Sequence, residues 1–111
     1  MRAAVYHGAR DVRVERRPRP RPGPGEVLLR VLRSGMCGTD ATEWAAGPRT
    51  FPVARRHPVT GHQGPMVLGH EFVGEVAEPG DGARTPVGAV VASGAGVSCG
   101  RCDRCRQGPS A

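Results

Sequence analysis

Apolar residues along this chain fall in short runs broken by polar ones, and several alternate at a period of two, the spacing of a strand with one face buried. Ala3 to Tyr6 and Val12 to Glu15 read as such strands, the second in the strict order Val12-Arg13-Val14-Glu15. Glu26 to Ser34, carrying Val27, Leu28, Leu29, Val31 and Leu32, is the most apolar segment. It predicts a central strand that delivers the chain to Cys37. Phe72 to Ala77 and Val87 to Ala92 read as two more strands, separated by the turn residues Pro79-Gly80-Asp81-Gly82. Pro18 to Gly25 is a breaker-rich connection, and Phe51 to Pro65, interrupted by Pro and Gly, has no periodicity and reads as a long loop. Asp40 followed three residues later by Glu43 has the form of a capping box. It predicts a short helix over Asp40 to Ala46, stopped by Gly47-Pro48. The class expected is mainly β, in keeping with a small barrel.

Composition supports short elements over long ones. Seventeen Gly and eleven Pro are spread through 111 residues, and with aromatics at 4% the core must come mainly from Val, Leu and Ala. The length is one domain's worth, too short for a second nucleotide-binding domain of ordinary size. The net charge is +6, and all sixteen basic residues are Arg. A nucleic-acid surface would pair clustered charge with aromatics for base stacking, and one Trp and two Phe do not supply them. The densest stretch, Arg13 to Arg21, alternates with Pro and reads as an extended, solvated loop, so no specific nucleic-acid partner is expected. The N-terminus lacks the apolar run of a signal peptide and no stretch reaches membrane-spanning length. The expected location is therefore the cytoplasm, where closely spaced thiols hold metal more often than they pair as disulfides.

Two groups of residues carry chemistry. Cys99, Cys102 and Cys105 form a Cys-x2-Cys-x2-Cys run, and upstream lie an isolated Cys37 and the tripeptide Gly69-His70-Glu71. Thiolate, imidazole and carboxylate are the ligand types that hold zinc. The three-thiolate loop lacks a fourth corner, and the sequence ends six residues after Cys105, so it reads as a piece of something longer. A zinc ribbon acting as a binding module would show a second Cys-x2-Cys roughly fifteen to twenty residues away, and none is present. A purely structural barrel would have no need of the upstream set.

The motifs Gly35-Met36-Cys37-Gly38-Thr39-Asp40, Leu68-Gly69-His70-Glu71-Phe72-Val73-Gly74, Val87-Gly88-Ala89-Val90-Val91 and the cysteine run follow in a telling order. Together they resemble the N-terminal catalytic domain of zinc-dependent medium-chain alcohol dehydrogenases, over essentially the whole chain. The stretch from Gly47-Pro48 through His57-Pro58 and Gly61 to Pro65-Met66 and on to His70-Glu71-Phe72 looks most like the butanediol, threonine and polyol dehydrogenase branch. The resemblance implies a GroES-like barrel with a short helix after Cys37 and a cysteine-rich zinc lobe at the C-terminus, beginning near Gly96. It also implies a Rossmann partner domain binding NAD(P), a small-molecule alcohol or ketone as substrate, no membrane, and a homo-oligomeric parent. No Gly-x-Gly-x-x-Gly follows a strand here, so no dinucleotide site is assigned to these residues, and the chain alone is expected to be inactive.

By the same resemblance Cys37 and His70 would hold a catalytic zinc, with Glu71 either a ligand or a carboxylate behind the metal. A further ligand would come from beyond position 111. Thr39 would take the alcohol proton, since a hydroxyl donates and accepts at once. Asp40 would receive the other N–H of the metal-binding histidine, or cap the helix, or both. Some relatives carry a relay His where this chain has Thr42. Cys99, Cys102 and Cys105 would hold a structural zinc, with the fourth Cys expected at about position 113. His7, His57 and His62 have no matching partners and read as surface or loop histidines.

Overall fold

The computed structural model describes residues 1–58, 60–94 and 103–108. Six strands and two helices follow in the order β1 (Arg2–Gly8), β2 (Asp11–Arg16), β3 (Val27–Ser34), α1 (Gly38–Ala46), β4 (Met66–Val67), β5 (Phe72–Pro79), β6 (Val90–Ala92) and α2 (Asp103–Gln107). The strands make two antiparallel three-stranded sheets, β2-β1-β4 and β3-β5-β6. The chain is thus mainly β, as its patterning predicts. β4 is only two residues long and carries too little pattern to be foreseen.

The place of β3 and the start of α1 differ from expectation. The apolar segment predicted to be central, β3, lies at the flank of its sheet, and β5 takes the middle. Val31 of β3 is accordingly 56% exposed, whereas Val76 of β5 is fully buried. Gly74 allows this order, because a Cβ there would stand 3.1 Å from Leu29 Cβ and 3.2 Å from the Arg30 carbonyl oxygen. The predicted helix starts two residues early, with Cys37 as the residue preceding its first turn. Asp40 sits in the third helical position, where its Oδ2 accepts the Cys37 N–H at 3.0 Å. Glu43 therefore has no part in the cap.

Glu43 instead ties α1 to the loop that follows. Its buried carboxylate accepts the N–H groups of Arg49 (2.8 Å), Thr50 and Phe51 (3.4 Å) and the Thr50 hydroxyl. Burial alone would push this carboxyl up, but those hydrogen bonds, Thr50 foremost, outweigh it and hold the group below the ordinary glutamate range. The Glu43 backbone carbonyl accepts the Tyr6 hydroxyl at 2.8 Å, and Tyr6 meets Phe51 edge to face at 5.5 Å between centroids. Tyr6 and Val5, adjacent on β1 and both fully buried, face opposite sides of the sheet.

On the Val5 side, His7 Nε2 meets Glu15 Oε1 at 2.5 Å across the β1–β2 ladder, and Arg17 reaches the same carboxylate at 2.8 Å. His7 is thus a half-buried partner of Glu15 and not the unpartnered surface histidine expected. Arg13 and Arg16 lie in β2 and not in a loop, and Arg13, Arg19 and Arg30 pair with Asp11, Glu78 and Glu75. Such exposed pairs contribute little to stability but fix where the guanidinium groups lie.

At the far end of β5, Gly80 donates its N–H to the Glu26 carbonyl at 2.8 Å and lies so close to the Gly23 carbonyl that a Cβ would overlap it. Gly80→Ala is expected to lower stability by about 1–3 kcal/mol in urea unfolding, while Gly38→Ala, which points into open space, changes it by less than about 0.5 kcal/mol. Equal effects would contradict this packing. For Glu43 the sign follows from its lowered folded pKa: its contribution is present above the unfolded value of about 4.3 and lost as pH falls through the folded one. Urea midpoints should therefore drop between about pH 5 and pH 3, and Glu43→Gln should flatten that drop while weakening the fold at neutral pH by about 1–3 kcal/mol. An unchanged pH slope in the variant would show that Glu43 is not the titrating group.

Candidate metal centre

The centre is built where β3 ends beside the start of β5. Antiparallel pairing carries the ladder to Ser34 opposite Phe72, and one step further the Gly35 N–H donates to the Glu71 carbonyl at 2.7 Å. Cys37 lies three residues after Ser34 and His70 two before Phe72, so the two chains leave the sheet at the same corner. Gly69, at φ +111, makes the turn that admits His70, a conformation L side chains rarely adopt. Cys37 is extended (φ −75, ψ 156), and α1 begins immediately after it.

At that corner one donor atom each from Cys37, His70 and Glu71 lies within 4.8 Å of the others. Cys37 and His70 are half-buried and Glu71 is exposed, so the group opens to solvent on its carboxylate side. Behind it, Asp40 is buried, and its Oδ1 has no hydrogen-bond partner while standing 3.9 Å from His70 Nδ1. A buried carboxylate oxygen left without a donor is costly. A small ring movement would bring the Nδ1–H onto it, leaving Nε2 of His70 to face Cys37 and Glu71. Thr39, exposed in the first turn of α1, places its Oγ1 3.7 Å from the Cys37 sulfur.

The donor set fits zinc. Two ligands at tetrahedral angles around such an ion stand about 3.5 Å apart, so the observed spread needs to contract by roughly 1 Å. Soft sulfur, imidazole and an exposed carboxylate suit a site that keeps a position open.

Of the residues singled out in the sequence, Cys37, Thr39, Asp40, His70 and Glu71 are all brought to this corner. His57 and His62 belong to the loop before β4, where the Thr60 N–H donates to His57 Nδ1 at 3.1 Å and His62 Nε2 lies 3.2 Å from the Gly64 carbonyl oxygen. Neither joins a metal-ligand group among the described residues. Cys99 and Cys102 lie outside the described residues, and Cys105 is half-buried on α2. One residue at the corner escaped sequence reasoning. Ser93, just past β6, donates its hydroxyl to the His70 carbonyl at 2.7 Å and accepts the Phe72 N–H at 2.9 Å. Nothing in strand periodicity marks a serine after the last strand residue as different from a turn residue.

Comparisons with known proteins find relatives across most of the chain. The family model described as the alcohol dehydrogenase GroES-like domain matches residues 23–111. Among curated proteins, the chain is 43% identical over 82 residues to (R,R)-butanediol dehydrogenase of Bacillus subtilis strain 168, covering 74% of this chain and 24% of that protein. It is 37% identical over 109 residues to sorbitol dehydrogenase of the same organism, covering 97% and 29%. Among solved structures, 2R,3R-butanediol dehydrogenase from Bacillus subtilis superposes with a TM-score of 0.77 at 40% identity, over 82% of this chain and 26% of that one. The chain thus spans about a quarter of the length of the relatives it matches.

Titration of the purified chain with zinc should reveal one equivalent that both Cys37→Ser and His70→Ala remove. Asp40→Asn should weaken that equivalent about tenfold, because the ring loses its charged acceptor. Undiminished affinity in Asp40→Asn would mean that the contact with His70 is not used in binding.

Proposed function

The chain belongs to the alcohol dehydrogenase GroES-like domain family, and on that premise we propose that it forms the substrate- and metal-holding part of an NAD(P)-dependent alcohol dehydrogenase. The reaction proposed interconverts secondary alcohols, diols or polyols with the corresponding ketones. The convergence of Cys37, His70 and Glu71 on one corner, with Asp40 behind His70, is the observation that carries this reading.

Cys37, His70 and Glu71 would hold the ion. Zinc in that place supplies Lewis acidity that lowers the proton affinity of a substrate hydroxyl. The chain's own residues then have separable tasks. Asp40, whose Oδ1 stands 3.9 Å from His70 Nδ1, would fix the ring through that nitrogen and leave Nε2 as the donor. Glu71, exposed on the rim, offers the carboxylate that completes or exchanges with the ligand set. Thr39 receives the alcohol proton on its hydroxyl and passes its own outward. Thr42 follows one turn later on α1, and both threonines are exposed, so the proton leaves directly to water without an imidazole in the relay. The pyridine dinucleotide would be held by residues outside this stretch, consistent with the quarter of the relatives' length that it spans.

The remaining expectations are part of the same proposal. Cys99, Cys102 and Cys105 would hold a second, structural zinc in a lobe starting near Gly96, and the two sheets would close as a GroES-like barrel. Apolar side chains left in solvent, Val90 at 63% and Trp44 at 48% exposed, provide surface for a companion domain or a second subunit in the cytoplasm. Among the described residues no helix is long and apolar enough to cross a membrane.

The test joins these 111 residues to a relative's dinucleotide-binding domain and follows NAD+ or NADP+ reduction across a panel of secondary alcohols, diols and polyols. Turnover is expected, about a hundredfold or more slower in Thr39→Val and largely restored in Thr39→Ser, while the unjoined chain shows none. Absence of turnover with every member of the panel, in a folded and zinc-loaded protein, would contradict the proposal.

A further inference from the structure

We infer that Ser93 is a positioning residue for the His70–Glu71 half of the metal centre, acting by setting the point at which β5 leaves its sheet. The inference rests on the reading that Cys37, His70 and Glu71 share an ion.

The β5–β6 ladder pairs Glu75 with Val90, Gly74 with Val91 and Val73 with Ala92, so the next position sets Phe72 opposite Ser93. Half of that step is ordinary ladder: the Ser93 N–H donates to the Phe72 carbonyl at 2.8 Å. The other half is not. In a continuing antiparallel pair the Phe72 N–H would donate to the Ser93 backbone carbonyl. Here it donates to the Ser93 hydroxyl oxygen at 2.9 Å, and the hydroxyl hydrogen goes on to the His70 carbonyl at 2.7 Å. One side chain thus takes the place of the ladder acceptor and reaches two residues beyond Phe72, to the His70 carbonyl.

The consequence is a fixed exit angle. Peptide groups on both sides of Glu71 are held from the β6 side by Ser93, while the Glu71 carbonyl is held from the β3 side by the Gly35 N–H at 2.7 Å. The segment 70–72 is thereby pinned from two directions as it turns toward Cys37. Without the hydroxyl, the Phe72 N–H and the His70 carbonyl, both part-buried, lose their partner. The segment would then regain bonds by extending the ladder or by taking up water, and either shift moves His70 and Glu71 relative to Cys37. Threonine offers the same hydroxyl and tolerates extended backbone, so it should substitute.

The test is a Co2+ titration of the purified chain, reading the part of the absorption spectrum that Cys37→Ser abolishes. Ser93→Ala is expected to weaken Co2+ binding at that signal about tenfold, and Ser93→Thr to stay within about threefold of the unsubstituted chain. Undiminished affinity in Ser93→Ala, or equal weakening in Ser93→Thr, overturns the inference. A Cys37-dependent signal missing from the unsubstituted chain would instead sink the shared-ion reading itself and take this inference with it. Amide exchange on the unsubstituted chain covers a Ser93→Ala variant that does not fold: Co2+ or Zn2+ should slow exchange of the Phe72 N–H, and an unchanged rate overturns the inference.

Discussion

The centre depends on the register between β3 and β5. Cys37 and His70 are 33 residues apart in sequence, and only the antiparallel pairing of Ser34 with Phe72 puts their strand ends at one corner. That register is kept in an uneven way. Leu28 pairs with Glu78 but Leu29 with Val76, which leaves Ala77 as an extra residue in β5, and Val31 pairs with Gly74 but Arg33 with Val73, which leaves Leu32 extra in β3. The two bulges fall on opposite strands and cancel, so the alignment at the metal corner is the one that holds at the far end. A single uncompensated bulge would slip the corner by one residue and turn the following side chains to the other face.

Helix α1 braces that corner from behind through its two buried carboxylates. Asp40 faces the centre, and Glu43, three residues on, faces the loop from Arg49 to Phe51. The two show opposite treatments of a buried charge. Glu43 has four hydrogen bonds and is held ionised, whereas Asp40 keeps one oxygen without a donor, 3.9 Å from an imidazole nitrogen. The saturated carboxylate serves the fold, and the unsaturated one stands where the metal-binding histidine of the proposed centre would need its acceptor. The helix is in turn anchored to the first sheet by the Tyr6 hydroxyl on the Glu43 carbonyl and by the Arg10 N–H on the Trp44 carbonyl at 2.7 Å. Substitutions on β1 or in its hairpin turn can thereby reach the corner where Cys37, His70 and Glu71 meet at the end of the other sheet.

Much of this was legible in the chain before any coordinates. Period-two and apolar runs locate five of the six strands among the described residues to within a few residues, and the family resemblance carried by the motif order singles out Cys37, Thr39, Asp40, His70 and Glu71 as one site. Several features are not legible, each for a physical reason. Apolar content ranked β3 above β5, but the middle place goes to the strand that can be approached from both sides, which a buried glycine at 74 permits. The spacing of Asp40 and Glu43 imitates a capping box, and the true cap one turn earlier is Cys37, a residue type with little capping preference. The apolar pattern extends the last strand to Val87 and Gly88, yet Gly88 adopts φ +85 and β6 begins only at Val90. Ser93 left no trace in the pattern because its effect lies in where its hydroxyl points.

Cadmium NMR on the chain, loaded with the ion and labelled with nitrogen isotope in histidine, tests the shared centre most directly. The account predicts one cadmium resonance that couples to a ring nitrogen of His70 and disappears in Cys37→Ser. Coupling to His70 on a resonance that persists without the Cys37 thiol would contradict it, because the two side chains would then not hold the same ion.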